Sequence, residues 1–363
     1  MCDEGRPVCR LCTMSERDCS FASQTPEDSI SGSEEQLISP GSSSGSVPIA
    51  TPPSTQDPTS DEPVNVNHME LLIHATLDKD LFNLGDRIAD YPSGLAFALK
   101  VGLEAPYVMH QLLAFSARHL AHLHPERSAH YLHQAVTLQT QAVSLFNAAQ
   151  PEVDRSNCVA IVLFSVALGH HVLADTLSKR EPGGLDAFVT QCVQCIEMNR
   201  GIYTIVHAAW PLLLESELEP VLSLSAGFTS QPPRGDHCER VKELISSTDG
   251  LCEADKEVCR QVIQYLQIGF DAVLAEEEQG NRYQMLFTWT MLAPPEFTRL
   301  LAAKRPEVFV VLGYYALLLH CGKGMWQVGD SGAYMLGLIE DYLGPEWDYW
   351  LEHPRRIVAK DLS

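Results

Sequence analysis

Four cysteines crowd the start of the chain with the spacing Cys2-x6-Cys9-x2-Cys12-x6-Cys19. Thiolate is a soft ligand that suits zinc, and a Cys-x2-Cys pair reaches one tetrahedral ion from a single turn of chain. The spacing therefore reads as a metal-binding segment. The chain holds eleven cysteines, and Met1-Cys2-Asp3-Glu4 lacks the basic and apolar regions of a secretory leader. The cysteines are expected as thiols or metal ligands, not as disulfides.

Other groupings are weaker. His119, His122 and His124, with His130 and His133 near them, suggest a metal patch. No acidic residue completes an H-E-x-x-H pattern, so packing and a wet helix end are expected instead. Cys192-x2-Cys195 lies in an apolar helical stretch and reads as small core thiols. Gly41-Ser42-Ser43-Ser44-Gly45 matches the spelling of a nucleophile elbow but lacks its strand-turn-helix context. Glu276-Glu277-Glu278 reads as a solvated helix end. Trp289, Trp326, Trp347 and Trp350 could frame an apolar pocket, but aromatics at helical spacing are expected in plain core. No residue set suggests a reaction, so an enzyme is not expected.

The elements that would carry these residues fall into three segments. Residues 1–22 hold the cysteine cluster. Residues 23–66 are rich in Ser, Pro, Thr and Gly, and no Lys or Arg occurs between Arg17 and Lys79. Such a stretch has too little apolar surface to offset its ordering entropy and reads as a disordered linker. Thr25-Pro26, Ser39-Pro40 and Thr51-Pro52 within it fit ordinary linker composition. In residues 67–363 the pattern becomes helical. Tyr131, Ala135, Leu138, Ala142, Leu145 and Ala149 form one stripe, and Val258, Val262, Tyr265, Gly269 and Ala272 form another. Residues 107–123, 158–174 and 308–319 are apolar on several faces, as buried helices are, and Pro306-Glu307 suits a helix start. Strand alternation and hairpin turns are nearly absent. The expectation is one all-α domain of about ten to thirteen helices. Gln231-Pro232-Pro233-Arg234-Gly235 is expected as a loop between its two halves.

The segment Cys2-Asp3-Glu4-Gly5-Arg6-Pro7-Val8-Cys9-Arg10-Leu11-Cys12, followed by Cys19-Ser20-Phe21, resembles the second half of a fungal Zn₂Cys₆ binuclear-cluster DNA-binding domain. Cys2, Cys9, Cys12 and Cys19 match that family's third to sixth cysteines, and Pro7 falls at its loop proline. The resemblance implies zinc held by these four thiolates, in a shared cluster or in a single four-cysteine site. It also implies DNA contacts from Arg6 and Arg10. The family's first two cysteines and its basic helix would precede Met1. Residues 1–19 carry Arg6, Arg10 and Arg17 against Asp3, Glu4, Glu16 and Asp18, a net charge of −1. Each phosphate contact needs a cation, so this fragment alone is expected to bind DNA poorly.

The helical part supports the same family. His68-Met69-Glu70-Leu71-Leu72-Ile73-His74 and Leu112-Leu113-Ala114-Phe115-Ser116-Ala117-Arg118-His119-Leu120-Ala121 resemble two helices of the regulatory domain in sterol-uptake control proteins and their relatives. So does the stretch from Arg305-Pro306-Glu307-Val308 through Tyr314-Tyr315-Ala316-Leu317-Leu318 to Trp326. The resemblance implies an all-α regulatory domain that can form a homodimer and, in some members, holds an apolar ligand such as a sterol.

Charge narrows the function. With 25 Lys+Arg against 47 Asp+Glu, the net charge of −22 excludes a whole-surface footprint for nucleic acid or an anionic membrane. The longest uncharged stretch, Asn157 to Ala174, reads as a buried helix and not a membrane span. The expectation is a nuclear zinc-cluster regulator of polymerase II transcription, controlling a metabolic or secondary-metabolite gene set. A regulator acting through partners or an apolar ligand without DNA binding, and an all-α lipid- or sterol-binding protein, are the alternatives.

Overall fold

Caps and prolines decide where the helices begin. Asn65 caps α1 (Val66–Leu77), the first helix among the described residues, its side-chain oxygen accepting from the His68 amide at 3.1 Å. Pro106, Pro295 and Pro306 occupy the first turns of α3 (Pro106–Leu123), α11 (Pro295–Ala302) and α12 (Pro306–Cys321), where a missing N–H costs nothing. The computed structural model describes residues 64–82, 91–149, 152–180, 183–275 and 282–362. Cys2, Cys9, Cys12, Cys19, Arg6 and Arg10 lie outside them, as do the three Ser/Thr-Pro pairs, Gly41–Gly45 and Glu276–Glu278.

Every regular element among the described residues is helical, so the all-α expectation holds. There are fourteen α-helices among these residues, one more than the upper expectation. The remaining ones are α2 (Tyr91–Glu104), α4 (Ser128–Ala149), α5 (Cys158–Ser178), α6 (Gly184–Leu213), α7 (Glu219–Thr229), α8 (Glu239–Ser247), α9 (Glu253–Val273), α10 (Gln284–Leu292), α13 (Ser331–Leu343) and α14 (Asp348–Leu362). Ala293-Pro294 separates α10 from α11.

The expected stripe on α4 is buried at Tyr131, Ala135, Leu138 and Ala142, then leaves the core, with Ala149 exposed. On α9, Val262, Gly269 and Ala272 are buried. The three apolar stretches are central helices: α3, α5 and α12 are buried on most faces. Helix α5 is long and apolar enough to cross a membrane, yet 67% of its apolar window is buried inside the protein.

One large core draws on the end of α5 and on α6 to α14, around α12. Smaller clusters join α1 to α6. The expected loop does separate α7 from α8. The boundary between the clusters, however, runs through α5 and α6, because these two long helices bury one end in each. At the crossing of α12 and α13, a Cβ on Gly332 would run into the Ala316 carbonyl oxygen, so the backbones touch there.

Candidate functional site

Three stretches that carry the family resemblance converge in space. Helix α1 lies on α3, and Trp326, just beyond α12, packs onto the same patch. The register of α1 follows from its apolar spacing: Leu71 and Ala75 point inward, and His74 stands beside them near the helix end. His74 Nε2 is 3.1 Å from His119 Nδ1 on α3, a hydrogen bond whose donor depends on the tautomer. Asp78 Oδ2 lies 3.8 Å from His74 Nδ1. Trp326 stacks on His119 with ring centroids 4.6 Å apart and a 24° interplanar angle. Its indole N–H donates to the Leu81 carbonyl at 3.1 Å, and Gln327 Nε2 donates to the same oxygen at 3.3 Å.

The polar seam continues from α3 to α5. Arg118 Nε donates to Asp175 Oδ1 at 2.6 Å, and its Nη2 donates to Ser178 Oγ at 2.8 Å. Gln111 Nε2 donates to His171 Nδ1 at 3.2 Å, and His171 Nε2 lies 3.7 Å from Asp175 Oδ2. Ser116 Oγ donates to the Leu71 carbonyl at 2.7 Å, tying α3 back to α1.

Burial governs the protonation of this seam. It pushes His119 down to about 4, with His74, His122 and Arg118 adding to the effect and Asp78 opposing it. Burial also pushes His171 down to about 4 against the pull of Asp175, and it takes His170 to about 4. His74 and His122 are lowered for the same reason. The buried imidazoles are therefore neutral near pH 7, the form that can accept or ligate. His74, Asp78 and His119 offer ligand atoms within 4.8 Å of one another, a set of the kind that holds a divalent transition metal.

The histidine grouping, expected as packing and a wet helix end, is divided by the structure. His119 is buried, and His122 lies exposed beside it at 6.5 Å between ring centroids. His124 and His130 face Tyr131 instead. His74 and Asp78 were missed by sequence reasoning. Their i, i+4 spacing at the end of an apolar helix was the available signal.

The tryptophans do not meet in one pocket. Trp289 is fully buried, stacks on Tyr315 at 4.1 Å and donates to the Val262 carbonyl. Trp347 and Trp350 pack half-buried on the main core. Cys192 and Cys195 are free, buried thiols, and burial raises both, Cys195 to about 12, so neither is poised as a nucleophile.

The fold and the seam thus define, among the described residues, an all-α protein in which α1 is tied to the centre by buried polar pairs. No family model matches the chain. The chain is 26% identical over 234 residues to Sterol uptake control protein 2 of Saccharomyces cerevisiae, a match covering 63% of this chain and 24% of that protein. The matched stretch therefore spans about a quarter of the relative's length.

Proposed function

We propose that the chain is a regulator of transcription of the fungal zinc-cluster class, acting in the nucleus. Residues 67–363 would be its regulatory part, and Cys2, Cys9, Cys12 and Cys19 would hold zinc in a module that contacts DNA through Arg6 and Arg10. The observation that carries this reading is the similarity to a sterol uptake control protein, found in a chain whose cysteine spacing independently resembles the same family. A metabolic gene set follows by analogy with that relative's name. The helical part would relay a partner or ligand signal, as a second copy of the chain or an apolar molecule could provide.

A second reading is a regulator that does not touch DNA itself. The net charge of −22 and the acid excess in residues 1–19 favour it.

One experiment separates the two. The full chain is tethered upstream of a reporter through a foreign DNA-binding domain, and the untethered chain is mapped on chromatin by immunoprecipitation. The first reading expects a changed reporter together with discrete chromatin sites that vanish when the four cysteines become serine. Zinc bound per chain, measured by atomic absorption, should fall in the same variant. A changed reporter with cysteine-independent or absent chromatin sites supports the second reading. An unchanged reporter with no chromatin sites rules out both.

A further inference from the structure

A cleft of about 480 Å³ opens between the start of α8, the middle of α12 and the middle of α14. That volume lies within the range of small-molecule sites, roughly 300–1,000 Å³. Tyr314 of α12 lines it. The Tyr314 side chain is fully buried, and its hydroxyl has no hydrogen-bond partner among the described residues. Buried hydroxyls are nearly always paired, so one left unpaired at the wall of a cleft points to a group that enters it.

The ring is held in place. Tyr314 stacks on His353 with centroids 6.2 Å apart and a 22° interplanar angle. His353 lies 5.9 Å from His237, which in turn packs on Phe270 at 5.7 Å.

The charges around the cleft are mostly committed. Arg240 pairs with Glu352, donates to the Tyr349 carbonyl at 3.1 Å and lies over the Tyr349 ring at 4.9 Å. Glu239 pairs with Lys242 at 2.8 Å. One cation and one anion are left over. Among the described residues Arg356 forms no ion pair and has a single 3.5 Å hydrogen bond to His353 Nδ1, and Asp236 forms no side-chain hydrogen bond or ion pair. Both act on His353: burial lowers that imidazole most, His237, Arg356 and Arg240 lower it further, and Asp236 pulls it up. The imidazole is thus within electrostatic reach of the two uncommitted charges.

We infer that this cleft binds a small zwitterion of the amino-acid type. Its carboxylate would meet Arg356, its ammonium Asp236, and an acceptor oxygen the Tyr314 hydroxyl. Each uncommitted charge then finds its opposite, and a guanidinium can grip a carboxylate through two parallel hydrogen bonds. Burial raises Tyr314 far above neutrality, so the hydroxyl keeps its proton and donates. This inference is independent of the transcription reading, because it rests on the cleft alone.

The test uses the full chain and the twenty protein amino acids as probes. They are screened as a pool by ligand-observed NMR and then one by one by calorimetry. At least one should bind with a stoichiometry near one. Tyr314→Phe keeps the ring stack and should weaken binding about tenfold, the loss of one buried hydrogen bond. Arg356→Gln and Asp236→Asn change solvent-facing groups whose loss should not disturb folding, and each should weaken binding by at least as much. Absence of binding by every probe overturns the inference, and so does binding that all three variants leave unchanged.

Discussion

Helices α3 and α12 are equally central, yet they are built differently. Both start on a proline and are buried along almost their whole length. In α3, buried Gln111, Ser116, Arg118 and His119 each bond a named partner on α1 or α5. Helix α12 is chiefly a column of Val, Leu and aromatic side chains, and Tyr315 turns its hydroxyl to the Leu286 carbonyl at 2.7 Å. Apolar burial is non-directional and asks only for volume. A buried hydrogen bond asks for a particular neighbour, because an unpaired partner is costly. The seam on α3 therefore selects which helices sit beside it, while α12 supplies bulk cohesion.

The largest expected effect breaks the α12 side. Leu318 is fully buried, and a Cβ on Gly269 of α9 would meet its Cδ2 at 2.8 Å, so the leucine sits directly over that glycine. Leu318→Ala should destabilise the chain by about 2–5 kcal/mol through lost burial and the cavity left behind. Gly269→Ala places a methyl group toward that cavity, with Met285 Cβ and Cγ also 3.0 Å from it, so it should cost less in the Leu318→Ala background than alone. Denaturant unfolding of the two single variants and the double reads this as a non-additive cycle. Strict additivity would mean that α9 and α12 do not meet at this point.

A smaller, pH-dependent effect belongs to the seam. His119, His170 and His171 have folded values of about 4 against an ordinary 6.5. Between those values the unfolded chain binds protons that the folded chain refuses. Stability should therefore fall as pH drops from about 7 toward 4, by on the order of 1–2 kcal/mol per histidine near pH 5. The loss should appear first where these residues sit. Amide exchange at pH 5 should speed in α3 and α5 before the middle of α12. Equal acceleration in all three helices would remove the distinction drawn between them.

What the sequence made legible follows from the same division. The stripe Tyr131, Ala135, Leu138 and Ala142 could be read because 3.6-residue periodicity states which face is buried. Pro306 could be read because its fixed φ suits only a first turn within a helix. The His74–His119 pair could not, since periodicity says nothing of which residue 45 positions away completes a hydrogen bond. Trp326 was visible as part of a resemblance, but its bond to the Leu81 carbonyl crosses 245 positions. The cleft at Tyr314 was hidden for the same reason: three separate elements supply its walls. Local rules reach the elements, whereas the seam and the cleft depend on how distant elements are brought together.

Trp326→Phe gives the smallest expected effect and the finest test of the contrast. The substitution keeps an aromatic ring to stack on His119 and Phe115, whose centroids lie 4.6 and 5.2 Å away. It removes the indole N–H, but the Leu81 carbonyl retains its second donor, Gln327 Nε2 at 3.3 Å. A carbonyl left with one of two donors is not orphaned, so the cost should be about 1 kcal/mol or less. Thermal unfolding of the variant measures it. A loss as large as that of Leu318→Ala would mean that Trp326 acts by filling volume. The residue would then work as the α12 side chains do, and directed hydrogen bonding would no longer account for the way this end of the seam is closed.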